Sequence, residues 1–321
     1  MKDFFPNLLF LFVLSITLSA CDEPPSPTTV TNESDIEILF GIGNEIPMAR
    51  ETPLFNEAPI KMISSWFSKP EDLEWMRNYV ERNTMAELYK KGYAQELIIW
   101  LDNYTQYAIS DEFQADLKEL TRIFKGNGPD YGPLYVVLFT EYETYSDDPA
   151  YYLKLKDAFL QSIKTIKGVY PEAKVAIGIG GYGWSGVEHR EFKDWEIQAL
   201  KAGDFIAVQA HHHVSNMDLM ITQIRDSFNQ LSSFGKPIMM SHFRIWKNDE
   251  EPPAITEQAF QHFIDEMFTE ESMAALAEDG LFAWNFFWGD FINQPGAAYQ
   301  SIRNVVRTYG SEKTELSYYQ N

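Results

Sequence analysis

The sequence predicts a single (β/α)8 TIM barrel, an α/β fold, and three observations predict it. From Asp35 onward, eight apolar runs of strand length alternate with longer amphipathic segments, the pattern of a parallel sheet wrapped by helices. The runs are almost continuously apolar, as strands covered on both faces are. Eight such units in roughly 285 residues fit a closed barrel of ordinary length, with an open doubly wound sheet as the other topology the pattern permits.

The predicted strands are 37–43, 60–66, 96–101, 134–140, 174–179, 205–210, 237–241 and 281–287. The predicted helices are 71–91, 110–124, 149–168, 187–202, 216–234, 256–278 and 297–308; the connection 44–59 shows no clear helix. Pro70 sits early in the first helix, and Glu71 and Asp72 suit its positive end. Gly235-Lys236-Pro237 and Asp279-Gly280 punctuate helix ends ahead of strands seven and eight. No internal repeat, linker or second domain interrupts 35–321.

The N-terminus reads differently. Lys2 precedes an apolar stretch from Leu8 to Leu18, shorter than the roughly 20 residues a spanning helix needs. Leu18-Ser19-Ala20-Cys21 then places small residues before the only cysteine of the chain. This segment resembles a bacterial lipoprotein signal, which implies cleavage after residue 20, a lipid on Cys21 and attachment to a bacterial membrane, facing the periplasm or the cell surface. Residues 21–34 are rich in Pro, Ser and Thr and read as a flexible tether. The expected organisation is therefore signal 1–20, tether 21–34 and barrel 35–321.

The net charge is −21, and residues 1–20 carry one Lys and one Asp, so their removal leaves it unchanged. That balance argues against nucleic acid as a partner, because phosphates demand Lys and Arg. Aromatic residues make up 15% of the chain, and several fall at predicted strand ends, where flat rings could stack on sugars.

In a parallel barrel the residues just past each strand gather at one face, where ligands bind. Here those are Asn44 and Glu45; Trp66; Asp102 and Asn103; Glu141 and Glu143; Tyr182 and Trp184; His211, His212 and His213; His242 and Arg244; Trp288 and Asp290. Glu141 and Glu143 stand two apart, so a continued strand would put them on one side, and their repulsion would raise one pKa, as a general acid requires. Carboxylates beside Trp and Tyr suit glycosidic bond cleavage: one acid protonates the leaving oxygen, another attacks or activates water, and rings floor the sugars. The three consecutive histidines do not suit a metal, since at most two share a side of a strand, and sugar hydrogen bonding is the better reading. GIGGYGWSG (178–186) follows the fifth strand with the wrong spacing for a dinucleotide loop, so no cofactor is expected.

Strand order, the Glu after strand four, GDFIAVQAHHH at strand six, KPIMMSHFRIW at strand seven and LFAWNFFWGDF at strand eight resemble the large clan of retaining glycoside hydrolases with (β/α)8 barrels. The resemblance implies a carbohydrate substrate, Glu141 as acid/base, a His after strand six and Trp288 after strand eight. The chain departs from that pattern twice. Thr140 stands in place of the usual Asn, and Ser241 or His242 in place of the nucleophilic Glu of strand seven. A second carboxylate must then come from Asp290, Glu143, Asp102 or Glu45. A separation of about 5 Å from Glu141 would give retention of configuration, and about 6.5–9.5 Å inversion. Asp290 suits the wider gap. The sugar-contacting set is then Trp66, Asp102, Tyr182, Trp184, His211, His212, His242, Arg244 and Trp288. Two other functions fit the same residues: a sugar-binding lipoprotein that does not cut, and a polysaccharide lyase with His212 or His242 as base and Arg244 holding a uronate.

Overall fold

The computed structural model describes residues 36–44, 52–128, 132–248, 250, 252–287 and 296–314. Eight parallel strands close into a barrel in sequence order: β1 (Leu39–Asn44), β2 (Ile60–Phe67), β3 (Ala94–Ile99), β4 (Leu134–Leu138), β5 (Lys174–Gly180), β6 (Ile206–His213), β7 (Ile238–Trp246) and β8 (Leu281–Phe287), with β8 paired to β1. The closed barrel, rather than the open sheet, is the fold. Each strand is buried on both faces for the reason its composition suggested: β4, Leu-Tyr-Val-Val-Leu, sends Tyr135 and Val137 into the barrel and Leu134, Val136 and Leu138 under the helices.

The helices are α1 (Pro53–Glu57), α2 (Asp72–Met76), α3 (Asn78–Glu81), α4 (Thr84–Lys90), α5 (Thr105–Ala108), α6 (Asp111–Lys125), α7 (Pro149–Val169), α8 (Asp194–Ala202), α9 (Met217–Ser232), α10 (Pro253–Met267), α11 (Glu270–Glu278) and α12 (Ala297–Tyr309). Local chemistry sets their ends. Ser110 accepts from the Phe113 amide at the start of α6, and Asp148 accepts from the Ala150 amide at the start of α7, where Pro149 fills the first turn.

Three predicted helices change form. The segment 71–91 is three short helices, and the last two are separated where Asn83 takes a left-handed conformation (φ 52°) that a helix cannot continue through. The segment 256–278 breaks where Thr269 caps α11 by accepting from the Ser272 amide. The third, 187–202, becomes helical only at Asp194; its first half is a loop that carries Arg190 into the protein.

A departure of more consequence lies in β6 and β7, which run to His213 and Trp246, well past their predicted ends. Their register shifts at Ser241: Val208 pairs with Met240, and Gln209 with His242. This bulge inserts one residue into β7, so Ser241 and His242 both escape the outer layer. Beyond it the alternation resumes with Phe243 and Ile245 packed outward. Gln209, His211 and His213 consequently pair with His242, Arg244 and Trp246 along one inward-facing column.

Candidate functional site

The chain kinks twice at the end of β4. Phe139 (φ 54°) and Glu141 (φ 55°) both take left-handed backbone, an unfavourable state for side chains of this size that the surrounding packing must hold. The strand geometry therefore does not persist to residue 143, and the two glutamates have different surroundings. Glu141 lies beside His211, whose Nδ1 is 3.6 Å from its Oε1. Glu143 meets Arg190: Nη1 donates to its Oε1 at 2.6 Å, and the Gly180 amide donates to the same oxygen at 3.1 Å.

Arg190 is itself held by more than Glu143. Its Nη2 donates to Glu196, the Tyr142 hydroxyl donates to Glu196 at 2.8 Å, and its guanidinium lies 5.5 Å from the Trp184 ring centre and 5.1 Å from that of Phe192. Glu143 thus belongs to a buried ion network under the β4–β5 connection, a role its spacing from Glu141 did not reveal. Trp184 belongs with it. Fully buried, it donates from its indole N–H to Gln230 of α9 at 2.7 Å, so it offers no face at the barrel mouth. Tyr182 remains at the surface, its hydroxyl 3.4 Å from Glu143.

Desolvation, with the nearby charges of Glu143 and Asp102, pushes the Glu141 carboxyl up to about 7. Asp102 accepts from the Thr144 hydroxyl at 2.8 Å. The protonated form of Glu141 is therefore well populated near neutral pH.

Beside it stands a cluster of histidines and aromatic rings. The rings of His211 and His242 are 4.2 Å apart, and His242 meets Trp66 and Phe287 edge-on at 4.4 Å each. Trp100 lies 6.4 Å from Trp66. About a quarter of the His211 side chain (26%) is reached through the mouth, but enclosure by protein and the positive charge of Arg244 push its pKa down to about 3. Burial drives His242 far below the ordinary histidine range, with His211 and Arg244 adding to the effect. Both are neutral at pH 7. His212 points the other way, toward Gln223 of α9, as alternation along a strand requires. Its expected place among the sugar contacts is corrected accordingly.

One layer deeper lies a carboxyl that the strand pattern did not mark as functional. Glu96 of β3 is fully buried and accepts from the Ser64 hydroxyl and, across the barrel, from the Asn285 amide. Asn285 can reach it because its neighbour on β1 is Gly41, where a Cβ would fall 1.7 Å from the Asn285 side-chain oxygen. Burial pushes Glu96 up to about 8 against the pull of those hydrogen bonds. Trp100, Phe287 and Trp246 were also missed. Trp100 carries a readable signal, standing two residues past inward-facing Ile98; the other two become visible only once β7 and β8 are in register. Asp290, Trp288, Glu45 and Cys21 lie outside the described residues.

No protein-family model matches the chain, and no curated protein matches it. Solved structures do match. A modular endo-β-1,4-mannanase of glycoside hydrolase family 26 from Cellulomonas fimi aligns with a TM-score of 0.58 at 12% identity, covering 87% of this chain and 74% of that one. An endo-β-1,4-mannanase from Thermotoga petrophila gives 0.57 at 13%, covering 88% and 78%. Xylanase 10B from Thermotoga petrophila gives 0.54 at 10%, covering 85% and 94%. The chain has the (β/α)8 fold of these glycoside hydrolases. At such identities the likeness speaks for the fold alone, and function has to be argued from the site.

Proposed function

We propose that this protein is a carbohydrate-active barrel that cleaves glycosidic bonds with Glu141 as general acid, held at a bacterial membrane by a lipid on Cys21. The observation that carries the reading is Glu141 itself: a partly desolvated carboxyl at the C-terminal mouth of the barrel, on strained backbone, with a pKa near 7, beside His211, whose ring adjoins a wall of His242, Trp66 and Phe287. A sugar stacked on that wall would present its glycosidic oxygen to the protonated carboxyl. The proton passes to that oxygen as the bond to the anomeric carbon breaks, and water completes the cleavage with help from a second carboxylate on the opposite side. Asp290 is assigned that second role. Glu143 is a poor candidate for it, since Arg190 and the Gly180 amide already bind its Oε1 and the Tyr182 hydroxyl lies 3.4 Å from its Oε2. His242, neutral and enclosed, serves as a hydrogen-bonding group of the floor, and the neighbouring Arg244 supplies fixed positive charge.

The reading is tested by Glu141→Gln. Turnover on a cleaved glycan should fall about 100-fold or more while sugar affinity is nearly kept, because general acid catalysis contributes on the order of 10² to 10⁴. Equal loss of both would make Glu141 a sugar ligand. One observation favours a second reading, a barrel that binds glycans without cutting them: Ser241 and His242, at the bulge of β7, stand where the resemblance to the hydrolase clan implies a nucleophilic Glu. Sugar binding with no cleavage of any glycan would establish it. A lyase fares worse. His212 faces the helices, and a histidine as hard to protonate as His242 accepts a proton poorly.

A further inference from the structure

The bulge in β7 has a chemical effect at the mouth. It returns Arg244 to the inward-facing column, where its backbone pairs with His211, the histidine that touches Glu141. The guanidinium lies over Phe287, its centre 4.8 Å from that of the ring. Stacking on a ring uses the flat face of a guanidinium and leaves its N–H edge, a fork suited to carboxylate or sulfate, pointing away from the ring. Among the described residues no carboxylate forms an ion pair with Arg244, whereas Arg77 and Arg303 each have one and Arg190 has two. Arg244 is exposed, and its charge is close enough to be felt by His211 and His242.

Resting on the carbohydrate reading above, we propose that the glycan recognised here carries an anionic substituent, a carboxylate or a sulfate ester, and that Arg244 binds it. The geometry suits isolated acidic groups on an otherwise neutral sugar chain. The protein's net charge of −21 would repel a long polyanion. Charges beyond a Debye length of about 8 Å are screened at physiological salt, so the guanidinium governs a single acidic group brought to it. Such a group beside Glu141 would also favour the protonated form of that carboxyl, the form a general acid needs.

The test uses matched pairs of oligosaccharides: uronate-containing chains with their methyl esters, and sulfated chains with their desulfated forms. Affinity is measured by calorimetry on the full protein and on Arg244→Gln and Arg244→Lys. The acidic member of at least one pair should bind about tenfold or more tightly than its neutral counterpart, as a charge-assisted bidentate contact allows, with an advantage that shrinks as salt rises. Preference in the uronate pairs identifies a carboxylate, and in the sulfated pairs a sulfate ester. Arg244→Gln should bring the acidic-to-neutral ratio to about one, and Arg244→Lys should restore part of it. Neutral members binding as well as acidic ones, or a ratio untouched by Arg244→Gln, overturns the proposal. If neutral glycans are bound and cut in a Glu141-dependent way, the general-acid reading survives that failure. If no member of any pair is bound or cut, both fall together.

Discussion

Replacing Glu96 by Gln isolates the energetic consequence of burying a carboxyl in the centre of the barrel. The folded protein holds the Glu96 proton up to about pH 8, whereas the unfolded chain releases it near the ordinary value of 4.5. The contribution of this group to stability is therefore complete below pH 4.5 and is lost progressively as pH rises toward 8. At 1.36 kcal/mol per pH unit the loss reaches about 5 kcal/mol over the whole window and about 3 kcal/mol by pH 7. Gln cannot ionise and keeps the geometry: its carbonyl can accept from Ser64 and Asn285 as Oε2 does, and its NH2 takes the place of Oε1, with the Ser241 hydroxyl close to the same group. Urea unfolding of both proteins at pH 4.5, 6, 7 and 8 reads the difference directly, since other titrating groups cancel. Glu96→Gln should gain on the parent at each step upward. A difference that stays flat or runs the other way would mean that Glu96 is ionised inside the barrel and that the desolvation argument is wrong.

Glycan cleavage should follow the protonated fraction of Glu141, falling about tenfold per pH unit above a midpoint near 7; a profile flat through pH 8 would remove Glu141 as the acid. Arg190→Met leaves Glu143 and Glu196 buried without their cation and should cost about 3–5 kcal/mol, read as a fall in Tm at pH 7, whereas an unchanged Tm would show that the network is not structural. Cys21→Ser should abolish incorporation of labelled fatty acid and move the protein from the membrane to the soluble fraction, and unaltered fractionation would refute the lipid anchor.

The architecture was legible in the sequence because a parallel barrel leaves a one-dimensional trace. Strands buried on both faces must be apolar throughout, and the helices between them must be amphipathic, so eight runs such as Leu134–Leu138 could be counted without knowing how they pack. Glu141 was legible for the same reason, as the first charge after such a run. What the sequence could not settle was where side chains point once the backbone leaves regular geometry. Left-handed backbone at Phe139 and Glu141 gave Glu143 its place beside Arg190, a residue 47 positions away that no local pattern links to it. One extra residue in β7 turned His242 and Arg244 inward, and a parity count along KPIMMSHFRIW cannot show it, because a bulge is fixed by the register of both neighbouring strands. The burial of Glu96 was hidden as well: its hydrogen bond from Asn285 spans 189 residues and depends on the missing side chain of Gly41. Sequence determined which segments line the barrel, since burial selects residue type position by position. Tertiary structure alone decided which of their polar groups meet, since contact depends on register, bulges and closure of the ring.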